Sequence, residues 1–257
     1  MKIIVLAKQT FDTEAKLSLD NNGKIDGQGV KLIMNPYDEF AVEEGLRIKE
    51  KTNGEVTVIS VDKEQDQDAL RQAIAMGADE AVMVVPGDVE LDEYATATIL
   101  AKVISKMEYD IILGGFRAID DGSCQVAGRV AESLNIPVVN MITEIKIENG
   151  KAQATRDIEG GSEVIEVKLP AVFTAQKGLN EPRYPSMKGI MKARKKPVKI
   201  IRLGELGLVE DQIAAKVKPV SYTLAEPRKA GQVIQDEPAK AVSQAVKLIL
   251  EKVKVVV

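Results

Sequence analysis

The sequence predicts an α/β fold: a mostly parallel, doubly wound sheet with an antiparallel edge hairpin and a C-terminal arm. Three observations predict it. Short apolar runs alternate with helix-period segments from residue 2 to residue 137, an order that gives a parallel sheet with helices on both faces. The run Ile111-Ile112-Leu113 ends in Gly114-Gly115, just before a polar turn and a new helical pattern. Beyond Pro137 the pattern becomes that of strands, arranged around Glu159-Gly160-Gly161.

Residues 2 to 6 read as a buried first strand, and Lys8 to Thr13 as the loop leaving its C-terminal end, the end where ligands sit in open α/β sheets. Asn21-Asn22-Gly23-Lys24 signals a turn, hence a small hairpin before the first helix. Asn35 as N-cap, Pro36 at the first helical position and Asp38 in the first turn predict that helix, with Tyr37, Ala41, Gly45 and Ile48 on one face. Helix capping by itself accounts for these residues. Glu55–Val61 is the second strand, and Leu70, Ala73 and Ile74 mark a helix stopped by Gly77. Glu80–Val85 is the third strand. A helix from about Asp92 to Met107 then leads into the strand at Ile111.

Tyr109 to Pro137 forms the centre of the chain. Val126, Val130 and Leu134 recur at helical spacing with Ser123 as the expected N-cap, so a strand, a polar turn and a helix start follow one another. The first amides of a helix lack internal partners and carry the positive end of its dipole, which makes such a turn an anion cradle suited to phosphate. Neither G-x-G-x-x-G nor G-x-x-x-x-G-K-[ST] is present. By shape alone, nucleotide binding and an ordinary sheet-to-helix connection therefore both remain open.

Past Pro137, Lys146 to Asp157 and Glu163 to Leu169 are expected to form the two arms of one hairpin, followed by a strand at Ala171–Thr174. From Leu179 the chain combines Pro182 and Pro185 with Met187, Ile190 and Met191 and the cations Lys192, Arg194, Lys195 and Lys196. Soft methionines among prolines suit a surface that meets several partners. Nucleic acid is disfavoured, since only Tyr184 could stack. The division expected is an α/β domain over 1–216, including this segment at 179–197, and an arm over 217–257. The arm's helix starts near Pro238 and places Val242, Val246, Ile249, Leu250 and Val253 on one face, before Val255-Val256-Val257. It docks on its own domain or on a partner subunit.

Composition removes several chemistries. The 257 residues include no His, so no Ser-His-Asp or Cys-His pair, His metal ligand or histidine base exists. One cysteine, Cys124, excludes an internal disulfide and a multi-cysteine cluster. With 45% hydrophobic and 29% charged residues, net charge −4, no bilayer-length apolar run and no signal-peptide layout, a soluble, cytoplasmic protein is expected.

Three stretches together carry a family resemblance: Met34-Asn35-Pro36-Tyr37-Asp38 with Ala41 to Glu44; Ala118-Ile119-Asp120-Asp121 with Gln125; and Arg156 to Glu163 running through Leu169-Pro170-Ala171-Val172 to Asn180-Glu181-Pro182-Arg183-Tyr184. In these the chain resembles the β (small) subunit of electron transfer flavoprotein over nearly its whole length. The resemblance implies a Rossmann-like, adenine-nucleotide-binding domain, a heterodimer with an α subunit that holds most of an FAD, and a few contacts to that FAD from near Thr13. It also implies a buried AMP. Its pocket maps onto Leu6, Asn35, Pro36, Tyr37, Asp38, Val61, Gly115, Phe116, Arg117, Ala118, Ile119, Asp120, Asp121, Gly122, Ser123, Cys124, Gln125 and Val126.

The segment Arg183, Tyr184, Pro185, Ser186, Met187, Ile190 and Met191 resembles the family's recognition loop for acyl-CoA dehydrogenases, with Met187 where leucine is more usual. Electrons would pass on to a quinone-linked membrane oxidoreductase, as in fatty acid oxidation. The chain itself would supply no catalytic residue. One branch of the family bifurcates electrons, with a second FAD in place of AMP and NADH as donor. Its phosphate loop usually reads Asp-Gly-Asp-Thr-Ala-Gln-Val-Gly, whereas Asp120-Asp121-Gly122-Ser123-Cys124-Gln125-Val126-Ala127 stands here, and the double aspartate favours the AMP type.

Overall fold

The computed structural model describes residues 1–226 and 230–252. It divides into two compact units, Met1–Ser221 and Tyr222–Val257. In the first, β1 (Lys2–Leu6) is followed by the short strands β2 (Gln9–Phe11), β3 (Ser18–Leu19), β4 (Ile25–Asp26) and β5 (Leu32–Met34). The expected hairpin at Asn21–Lys24 is β3 paired with β4. Then come α1 (Pro36–Thr52), β6 (Glu55–Val61), α2 (Asp68–Met76), β7 (Glu80–Val85), α3 (Glu93–Ile104), β8 (Ile111–Gly115) and α4 (Val126–Leu134). The remainder is β9 (Val138–Glu148), β10 (Lys151–Ile158), β11 (Gly161–Lys168), β12 (Ala171–Ala175), α5 (Met187–Lys195), β13 (Lys199–Arg202) and α6 (Leu203–Leu206).

Nine strands form one sheet in the order β11-β10-β9-β12-β8-β1-β6-β7-β13. Every pairing from β9 to β13 is parallel, and β9-β10-β11 is antiparallel. The central strands are apolar without alternation because both their faces are covered. Ile3, Val5, Val58, Leu113 and Phe173 join Ala41, Leu46 and Leu70 of α1 and α2 in one core cluster. Ile4, Leu6, Ile112 and Val172 join Ile99, Val103 and Val130 of α3 and α4 in the other. The strand period of two thus feeds two separate cores.

The topology fixes where a ligand can sit. The crossovers through α1 and α2 move the chain outward from β1 to β6 and β7, and α3 then carries it back past β1 to β8. The C-terminal ends of β1 and β8 are therefore neighbours whose outgoing chains diverge, the position of the ligand crevice in such sheets.

Three expectations about the elements need correction. The helix expected to start at Ser123 starts at Val126, with Gln125 at the cap position, because Gly122 and Cys124 take left-handed backbone (φ 65° and 58°) and prolong the turn. Lys146 to Asp157 is not one hairpin arm: β9 runs to Glu148, and Asn149-Gly150, both at positive φ, turns it back into β10. This two-residue turn matches the twist of its strands. The helix beginning after Asp92 ends at Ile104 rather than Met107, because the amides of Lys106 and Met107 donate only three residues back, to the carbonyls of Val103 and Ile104. The structure adds one strand that no local pattern marks, β13, parallel to β7 at the far edge.

In the second unit α7 (Pro238–Lys252) leaves Val242, Val246, Ile249 and Leu250 exposed. Val253 and Val255-Val256-Val257 lie outside the described residues. Among the described residues no helix is long and apolar enough to cross a membrane, and no group of acidic and cysteine side chains is placed to hold a metal.

Candidate functional site

The crevice at the β1/β8 divergence is organised by Asp38, in the first turn of α1 and 6% exposed. One carboxylate oxygen accepts the Lys8 amide at 2.7 Å and the other the Gly115 amide at 2.8 Å, so a single side chain ties both strand ends to the helix. Burial pushes its carboxyl up to about 7, against the pull of those amides and of the nearby Lys8 charge. Gly115 is required by this closeness: a Cβ there would collide with Asp38 and stand 2.7 Å from Tyr37 Cβ.

Asn35 does not cap α1 through its side chain. Its Nδ2 donates to the Arg117 carbonyl at 2.9 Å and its Oδ1 accepts the Ile119 amide at 3.2 Å, while its own amide donates to the Lys8 carbonyl. The residue read as a helix cap is a clasp on the loop that follows β8. Lys8 closes the same loop from outside, its Nζ meeting Asp120 at 2.8 Å and Asp121 at 2.6 Å. Desolvation pulls the Lys8 ammonium down, but these bonds outweigh it and hold it above the ordinary lysine value. Asp121 is desolvated too, yet Lys8 and the Ser123 amide keep it below the usual carboxylate range.

The resulting cradle has open backbone. No side chain caps α4, and no atom lies within 4 Å of where a Cβ would stand on Gly122 or on Gly128 in the first turn. A phosphate group can approach amides of this kind directly, with the helix dipole behind them. At the mouth, Tyr37 and Phe116 meet edge to face at 4.5 Å, and the Arg117 guanidinium lies 5.3 Å and 5.2 Å from their ring centres.

All the predicted pocket residues lie on this edge of the sheet. Leu6 and Val61 end β1 and β6, Asn35 to Asp38 begin α1, and Gly115 to Val126 span the end of β8, the turn and the start of α4. Ala118 accepts the Gly122 amide, which closes the turn. Cys124 is exposed. Thr13 is also exposed, in the turn after β2. Among the residues of the site, Lys8 is the one the sequence marks only as part of a loop; its signal is a cation directly after a strand that ends at a ligand edge.

The predicted docking segment divides into a buried base and an exposed tip. Asn180 Nδ2 donates to the Phe40 carbonyl and to Glu44, and Arg183 Nε meets Glu43 at 2.8 Å while its Nη1 meets Glu50 at 2.6 Å. Arg183, predicted to face a partner, is thus committed to α1 of its own chain. Burial favours the neutral form of Glu43, but Arg183 and Arg47 overcome it and hold its carboxyl low. Beyond this base Tyr184, Met187 and Met191 are 96%, 75% and 60% exposed. Pro185 and Ile190 are half-buried, and the exposed Ser186 caps α5 by accepting the Gly189 amide at 3.0 Å.

The model of the electron transfer flavoprotein domain matches residues 22–206, and the whole chain is 44% identical to the electron transfer flavoprotein subunit beta of Bacillus subtilis, with both chains fully covered. The chain belongs to the electron transfer flavoprotein family, as a β subunit. The Syntrophomonas wolfei subunit beta is 45% identical over 99% of this chain and 98% of its own. The caffeyl-CoA reductase-Etf complex subunit CarD of Acetobacterium woodii is 39% identical over 90% of each chain. Membership makes this an electron-transfer subunit rather than an enzyme with its own bond-making chemistry, and it implies a flavin and an α subunit.

Proposed function

We propose that this electron transfer flavoprotein β subunit holds an AMP at the β1/β8 crevice and, with its α subunit, carries electrons from acyl-CoA dehydrogenases to a quinone-linked membrane oxidoreductase in the cytoplasm and its membrane. The observation that carries the nucleotide assignment is the clasp of Asn35, Asp38 and Lys8 on the turn before α4, whose first amides are left without a side-chain cap. Gly122 and Gly128 keep that backbone bare. Arg117, packed beside the Tyr37–Phe116 ring pair, adds a cation at the rim.

FAD, held mainly by the α subunit, supplies the redox chemistry. This chain's residues bind and orient. The loop around Thr13 meets the flavin domain, the α7 face of Val242, Val246, Ile249 and Leu250 is the α subunit's, and Met187 with Met191 forms the apolar tip offered to dehydrogenases. An apolar tip of two side chains gives modest affinity and quick release, as a shuttle requires.

The relationship to a subunit of a reductase–Etf complex supports a second reading, in which a second FAD replaces AMP and NADH is oxidised. The two readings separate in an anaerobic cuvette containing the αβ heterodimer. The carrier bleaches with an acyl-CoA dehydrogenase and octanoyl-CoA and stays oxidised with NADH alone. Flavin reduction by NADH alone overturns the carrier reading in favour of the second.

A further inference from the structure

The docking helix α5 is only nine residues long and contains Gly189, so it is too short to be stable in isolation. The chain nevertheless holds it at three points. At its N-terminal side, Arg183 is anchored on Glu43 and Glu50. In its first turn, Gly189 lies against α2 so closely that a Cβ would collide with the Ala75 carbonyl. At its C-terminal end, Arg71 of α2 donates from Nη1 to the carbonyls of Ala193 at 2.7 Å and Lys196 at 2.6 Å.

The last grip is specific. A helix leaves its final carbonyls without internal partners, and the basic residues in the last turn of α5 are not what satisfies these two. A guanidinium from another helix does so, and Arg71 Nη2 is itself fixed on Gln67 one turn earlier at 2.9 Å. The fork is thereby held in line with the end of α5. Ala193 is buried beside it, while Met187 and Met191, one turn apart, point outward.

We propose that Arg71 is the positioning residue of the docking helix, holding α5 folded so that a dehydrogenase meets Met187 and Met191 already in place. This rests on the docking role given to α5 above. Ordering a helix on contact subtracts from affinity, and a helix ordered beforehand avoids that cost. Arg71 touches no partner in this scheme and acts only through α5.

The test uses the αβ heterodimer with its flavin, an acyl-CoA dehydrogenase and octanoyl-CoA, reading steady-state kinetics and amide exchange. In Arg71→Ala, exchange across 187–195 accelerates and KM for the dehydrogenase rises about tenfold, equivalent to ~1.4 kcal/mol, with kcat and flavin content unchanged. Gly189→Ala, which pushes α5 off α2, gives the same KM effect by another route. Unchanged exchange and KM in Arg71→Ala overturn the proposal, as does a loss confined to kcat. Met187→Glu separates the two layers: if it raises KM while Arg71→Ala does not, only the positioning role fails, and if it leaves KM unmoved the docking reading itself is wrong.

Discussion

Asp38 accepts the amide of Gly115 at 2.8 Å across 77 residues of sequence, and with its other oxygen accepts the amide of Lys8. The two strand ends of the topological switch point are joined through one buried carboxylate. That carboxylate is more than a dipole partner for α1: it sets how far apart β1 and β8 stand where the crevice opens.

Asp38→Asn places an NH2 against a backbone N–H donor, leaving at least one buried amide unpaired, at a cost of about 1–3 kcal/mol. The pH dependence also changes. Because the folded pKa is raised to about 7 from an ordinary 3.8, the folded state binds the proton more tightly than the unfolded chain. Stability from this group is therefore full below about pH 4 and declines as pH rises to about 7. Urea unfolding of wild type and variant across that range should show the wild-type stability falling more steeply with pH than the variant's.

Gly115→Ala drives a methyl into Asp38 and the Tyr37 backbone, whose carbonyl carbon would lie 2.8 Å away. Neither neighbour is the loose end of a flexible chain. A loss of about 1–3 kcal/mol follows for overpacking of this kind, together with less nucleotide retained on gel filtration. Gly122→Ala meets open space and suffers only the strain of its positive φ, so the pair ranks steric closeness against backbone conformation.

Lys8→Met removes the cation between Asp120 and Asp121. Two carboxylates then stand in the turn proposed to take the phosphate, without their cation. Nucleotide affinity should fall about tenfold, and the fall should shrink at high salt because part of the site is exposed. Isothermal titration of AMP into nucleotide-stripped heterodimer at two ionic strengths checks both.

Arg183→Met leaves buried Glu43 with Arg47 as its remaining cation. Since the guanidinium is itself about one-third exposed, solvent screening reduces the loss to about 1–3 kcal/mol. Denaturant midpoints should reveal it even without any dehydrogenase, because the contact is internal.

Local signals carried much of the architecture. Strands β6, β7 and β8 were legible to the residue because each is a bounded apolar run, and α2 because Gly77 stops it. Asn149-Gly150 carries an equally local signal, masked by the strand-like residues on both sides of it. The start of α4 was misplaced because Ser123 has the right chemistry for a cap, whereas left-handed Gly122 and Cys124 decide the backbone. At the site, sequence placed the residues on one edge but not their roles. The side chains of Asn35 and Arg183 bond across 82 and 140 residues, and no short-range pattern encodes such partners. β13 was invisible for the same reason, since its four residues become a strand only by pairing with β7.

The central claim is that a mononucleotide is held at the turn between Gly115 and Val126. The most direct measurement is to co-express the chain with its α subunit, denature the purified heterodimer and quantify what is released by chromatography. One FAD and one AMP per heterodimer is the predicted result. Two FAD, or FAD with no second nucleotide, would contradict it.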